Sequence, residues 1–222
     1  MEELGNILSY SQQDLTPLIQ LFLILTLLMF LPVAIFMLTS FVRIIVTFSF
    51  IKSALGAQQS IPNQVLIGVA IVMTIFIMAP TIEKINEIAI KPYLEQEIKF
   101  QDALLEAEKP IKAFLLEQTR ETDIELFLEN AKIDKESITR DNIPLYVLVP
   151  AFAISELKTA FQIGFLIYLP FLLIDLVVAS TLMAMGMMML PPVMVSLPFK
   201  LLLFIMVDGW NLLIKSLILS FG

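Results

Sequence analysis

From Leu15 to Val42 the chain runs for 28 residues without a charged side chain. Three further apolar blocks follow: Asn63 to Ile82, Leu145 to Leu190, and Val193 to Phe221. About 20 predominantly apolar residues suffice for a helix to cross a hydrocarbon core of roughly 30 Å. Lipid offers the backbone no hydrogen-bond partners, and a helix satisfies every N–H and C=O within its own segment. The blocks therefore predict an all-α chain built from membrane-type helical hairpins. Composition agrees, with 58% hydrophobic residues and a mean hydropathy of +0.88.

As one helix, the first block would be roughly 42 Å long. That is too long for a straight span, and Pro32 near its middle is expected to kink it. Arg43 follows, then an apolar run to Ile51 and a basic Lys52. Lys52–Gln64, with Gly56, Gln58, Gln59 and Pro62, reads as a turn. The returning arm is expected to end at Pro80. The third block is broken by Pro150 and Pro170, and the fourth carries Pro198, Lys200 and Lys215.

Residues 83–142 change character. Residues 81–142 hold 15 acids and 9 bases, and so carry −6 of the chain's net charge of −7. Apolar residues become periodic: Ile111, Phe114 and Leu115, then Ile124, Phe127 and Leu128, follow i, i+3, i+4. Thr122-Asp123-Ile124-Glu125 has the pattern of a capping box. A small, water-facing helical domain is expected here. The layout is then a tail over 1–14, a first hairpin over 15–82, the acidic domain over 83–142, and a second hairpin over 143–222.

Arg43 and Lys52 put the first hairpin's turn on the cytoplasmic side by the positive-inside rule. The acidic domain then falls outside and the turn before Pro191-Pro192 inside. The N-terminus lacks the basic region and small-residue cleavage site of a signal peptide. Either the first apolar block is the targeting signal, or a cleaved one is missing from this chain.

The chain has no cysteine and no histidine. That excludes disulfides, thiol nucleophiles, Ser-His-Asp catalysis and ordinary zinc sites. No basic patch suggests nucleic acid. Attention falls instead on charges within apolar sequence. Glu156 and Lys158 lie about 200° apart on a helix and cannot pair locally. Each needs a partner on another helix or another subunit, as assembly contacts or as an ion relay. The hydrogen-bonding neighbours Ser155, Thr159 and Gln162 favour assembly. Ala160 and Gly164 offer a small-residue face for close packing. Asp175 and Asp208 invite an aspartyl-protease reading. However, Asp175 sits in LIDLV without the glycine that intramembrane aspartyl proteases place before the acid, and Asp208-Gly209-Trp210 reads as a helix end or packing site.

Five methionines crowd into Met183–Met189, beside Gly186 and just before Pro191-Pro192. Methionine usually fills cores, being flexible and polarisable. Here the prolines force the backbone out of helical geometry. Such a loop at membrane depth must be buried in protein or line a cavity. Flexible thioethers there could form a deformable seal.

The stretches LTSFVRIIVTFSFIKSALGAQQSIPNQVLIGVAIVMTIFIMAP (38–80) and IPLYVLVPAFAISELKTAFQIGFLIYLPFLLIDLVVASTLMAMGMMMLPPVMVSLPFKLLLFIMVDGW (143–210) closely resemble the flagellar biosynthesis protein FliP family, the export-gate subunit shared with virulence type III secretion. The resemblance implies a multi-pass protein of the bacterial inner membrane at the flagellar basal body. It implies a pentamer with FliQ and FliR, working with FlhA and FlhB, through which unfolded flagellar subunits pass. No enzymatic activity and no cofactor are implied. The family's methionine gasket corresponds to Met187, Met188 and Met189. The charged pair of ISELKTAF corresponds to Glu156 and Lys158, and with Arg43 it is implied to make inter-subunit contacts. The resemblance also implies that these helices are held largely above the membrane plane after assembly. The virulence injectisome subunit is the alternative within the family, and an ion or small-molecule transporter using Glu156, Lys158 and Asp175 the alternative outside it. Internal repeats, frequent in such carriers, are not visible.

Overall fold

The computed structural model describes residues 35–57, 61–132, 139, 142–187 and 189–222, with scattered helical positions between 17 and 33. The expected tail over 1–14 lies outside the described residues, as do Gln58, Gln59, Asp141 and Met188. Among the described residues the chain is all-α, with no strand. It forms two compact units, Met1–Met37 and Leu38–Gly222.

The first unit contains α1 (Ile19–Met37), a helix apolar and long enough to cross a membrane. Large apolar side chains such as Phe22, Met29 and Phe30 stand exposed on it. A helix apolar on every side calls for an apolar surround. Pro32 lies within this helix, and the helical run ends only later. Helical positions flank Pro32, and a turn at Leu38–Ser40 ends the run. A proline removes one hydrogen bond, whereas the Thr39 hydroxyl offers the backbone a competing partner, accepting from the Phe41 N–H at 3.4 Å.

The second unit begins with α2 (Phe41–Ala54) and α3 (Asn63–Ile85). The expected end at Pro80 is not seen, because Pro80 lies inside α3. The helical path continues through a π turn (Asn86–Ile90) into α4 (Lys91–Leu94). The Lys91 N–H reaches back five residues to the Asn86 carbonyl. That wider turn immediately precedes Pro92, whose ring would crowd an ordinary α turn.

Helices α5 (Phe100–Gln118) and α6 (Glu121–Asn130) use the faces their periodicity predicts. Phe114, Leu115, Ile124 and Leu128 are buried, with Ile111 and Phe127 packed beside them. The core is completed by Met78 of α3 and by Val147, Leu148, Ala151 and Phe152. Residues 83–142 thus share their core with the first turns of the following helix. The expected capping box does not cap: α6 starts at Glu121, and its N-cap residue Arg120 makes no side-chain cap bond. The Asp123 carboxylate instead accepts from Ser155 Oγ at 2.5 Å and Arg120 Nη2 at 2.6 Å, fastening α6 to the next helix.

That helix, α7 (Leu145–Ala184), runs for 40 residues straight through Pro150 and Pro170, where breaks were expected. Its length is about 60 Å, roughly twice a hydrocarbon core. Val147, Leu148, Ala151, Phe152, Ser155, Glu156, Ala160 and Gly164 form one buried stripe at spacings of three and four. α2 runs parallel to α7 along this stripe. A Cβ placed on Gly164 would stand 2.6–2.8 Å from atoms of Phe50, so only glycine allows this approach.

A turn at Gly186 (φ +73°) leads into α8 (Pro192–Met206), and α9 (Gly209–Leu219) follows after a 63° bend. The turn after α2 lies beside the start of α8, since a Cβ on Gly56 would meet Val193 at 3.3 Å. The two turns thus share one end of the unit. Phe221 stacks on Phe114 at the opposite end.

Candidate functional site

Two polar clusters, one toward each end of this unit, hold four of the charges found in apolar sequence: Arg43 with Glu156, and Asp175 with Lys200. At the α5–α6 end, Arg43 of α2 meets Glu156 of α7. Nε donates to Glu156 Oε2 at 3.0 Å, and Nη2 donates to Glu156 Oε1. Nη2 also donates to Gln118 Oε1 at 3.0 Å, and Nη1 to the Ser220 carbonyl at 2.6 Å and Ser220 Oγ at 3.0 Å. A guanidinium has five N–H donors in a rigid fork, and here each has an acceptor. The Phe221 ring lies 3.7 Å below its central carbon. Arg43 is 2% exposed and Glu156 not at all. Arg43 and Glu156, expected at subunit contacts, therefore satisfy each other within the chain. Parallel packing at Ala160 and Gly164 brings α2 near enough for this.

At the other end, Asp175 of α7 faces α8. Its Oδ2 accepts from Lys200 Nζ at 2.6 Å and its Oδ1 from Ser196 Oγ at 2.5 Å. Lys200 Nζ also donates to the Ala54 carbonyl at 2.9 Å. Lys200 is almost fully buried. The two clusters lie 19 residues apart on α7, or roughly 28 Å along its axis. Both carboxylates are held by cations of the same chain, an arrangement that suits fastening better than ion relay.

Lys158 is exposed and has no ion-pair partner among the described residues. Asp208 is also exposed, in left-handed conformation (φ +50°) at the bend before α9, and makes no side-chain cap bond. Asp175 and Asp208 thus occupy different surroundings, the first held by Lys200 and Ser196 and the second exposed at the bend. Of the methionines, Met183, Met185 and Met187 are exposed on the last turn of α7 and the turn beyond it. Met189 is 99% exposed.

Sequence reasoning missed Gln118, Ser196 and Ser220 as partners of these charges, and gave Lys200 no role. A lysine in an otherwise apolar block was signal enough for Lys200. Gln118 and Ser220 carry no such signal, because their relevance comes only from tertiary packing.

A model of the FliP family matches residues 24–217. The flagellar biosynthetic protein FliP of Bacillus subtilis (strain 168) is 52% identical over 222 residues, the whole of both chains. That of Pectobacterium carotovorum subsp. carotovorum is 49% identical over 209 residues, 94% of this chain and 81% of the relative. That of Buchnera aphidicola subsp. Acyrthosiphon pisum (strain APS) is 50% identical over 218 residues, 98% of this chain and 57% of a longer relative.

Proposed function

The chain belongs to the FliP family, and from that premise we propose that it is a pore-forming subunit of the flagellar protein export gate. In this reading several copies, five with FliQ and FliR, surround a channel for unfolded flagellar proteins in the cell membrane. FlhA and FlhB complete the apparatus. The acidic helices face the periplasm, and the turns at Gly56 and Gly186 face the cytoplasm. The subunit contributes structure and no catalytic group.

The observation that carries the reading is the loop between α7 and α8. It presents apolar, flexible Met187 and Met189 outward, with Met189 almost wholly uncovered by its own chain. Gly186 (φ +73°) turns the backbone out of α7. Pro191 and Pro192 then fix the start of α8. Exposed thioethers on a constrained loop suit a surface that closes against equivalent copies. Methionine's rotatable bonds let such a ring yield to passing chains and reclose.

Replacing Met187, Met188 and Met189 together by alanine tests this. The assembled variant complex should let small ions cross a membrane that the unaltered complex keeps tight. An assembled variant that holds its ion gradient rules out the seal.

A further inference from the structure

Among the described residues, one polar crosslink joins α7 to α8, and it lies below the methionine loop. Asp175 takes hydrogen bonds from both Ser196 and Lys200 of α8. Ser196 is four residues past Pro192, about 6 Å of helix. Beside the crosslink and up to the loop, an apolar groove of about 640 Å³ opens between the helices. Ile174, Val178, Leu182 and Met185 line one side, and Val195 and Phe199 the other. On this side the stems of the loop leave apolar surface of both helices uncovered near where they meet it.

We propose that Asp175, Ser196 and Lys200 form a latch that sets where the methionine loop sits, with Asp175 and Lys200 as positioning residues for the seal. The proposal rests on the seal reading above. An ion pair between a buried lysine and a partly exposed carboxylate contributes little net stability over apolar residues of similar volume. What it supplies here is register. Hydrogen bonds to two oxygens of one carboxylate fit a single alignment of α8 on α7, whereas apolar side chains along an open groove tolerate sliding. Lys200 extends the latch to the Ala54 carbonyl. That carbonyl belongs to the C-terminal end of α2, where the helix dipole favours a cation. α2 is anchored at its other end by Arg43. One rigid helix thus connects the buried Arg43 cluster to the base of the loop.

The test is made on the assembled complex in cells, with Asp175→Asn, Lys200→Met and Ser196→Ala. Native mass reports assembly, and retention of the membrane ion gradient reports the seal. We expect each variant to assemble at the unaltered mass and to lose the gradient, with Ser196→Ala losing less. Assembled variants that hold the gradient overturn the latch. If Asp175→Asn and Lys200→Met do not assemble, Ser196→Ala decides, because it keeps the ion pair. Assembled and leaky, it supports the latch; assembled and tight, it overturns it. The triple methionine variant separates the two ideas. If it leaks while latch variants stay tight, the latch alone fails. If it too is tight, the seal reading fails first.

Discussion

Arg43 and Glu156 are 113 positions apart in sequence, yet the Arg43 Nε stands 3.0 Å from Glu156 Oε2 in a site closed to solvent. The pair joins α2 to α7. Through Gln118 and Ser220 it also gathers the end of α5 and the C-terminus around one guanidinium. Removing one partner of such a pair leaves the other charge buried and uncompensated, which costs about 3–5 kcal/mol.

Glu156→Gln should therefore lower the thermal stability of the purified subunit sharply. The double variant Arg43→Met with Glu156→Leu should recover much of the loss, since no charge is then stranded. A double-mutant cycle on unfolding checks this. Additive losses would mean that the two side chains act independently, contrary to the geometry.

The extent to which this could be read from sequence follows from the range of the forces involved. The apolar blocks, the amphipathic faces of α5 and α6, and the small-residue face at Ala160 and Gly164 are local patterns, and each recurs in the structure. Proline positions misled. Pro80, Pro150 and Pro170 all sit inside helices, since each removes only one backbone hydrogen bond from a long helix. The charge of Glu156 announced a need for a partner, while the identity of that partner, like that of the partners of Asp175, depends on how α2 and α8 lie against α7. The capping pattern at Thr122 was likewise local, and it lost to a tertiary demand: Asp123 serves Ser155 and Arg120.

Gly164 gives a second prediction, on packing. Phe50 lies directly over it and also meets Phe161 edge-on, with ring centroids 5.0 Å apart. Gly164→Ala gains a favourable helix residue but drives a methyl into the Phe50 ring. Because those clashing atoms include the Phe50 Cβ, rotation of the ring alone does not relieve them. Overpacking of this kind costs about 1–3 kcal/mol. The melting temperature should fall, and Phe50→Ala in the same chain should restore part of it. A Gly164→Ala variant as stable as the original would show that α2 and α7 are not held at this distance.

Lys158 is the third case, and it separates folding from assembly. It lies two positions from Glu156 on α7, but where Glu156 is sealed within the unit, Lys158 points out of it. No carboxylate among the described residues pairs with it, so the fold of the single chain asks nothing of its charge. An exposed cation amid apolar neighbours such as Ile154, Leu157 and Phe161 is costly against lipid, and a carboxylate on a neighbouring copy or partner would relieve that cost. Lys158→Glu should leave the unfolding of the isolated subunit unchanged. In the assembled state it would set two acids against each other, so the native mass of the extracted complex should shift toward the free subunit. Lys158→Arg, which keeps the charge, should assemble normally. If Lys158→Glu forms complexes of full mass, the contact role passes to the apolar face around it.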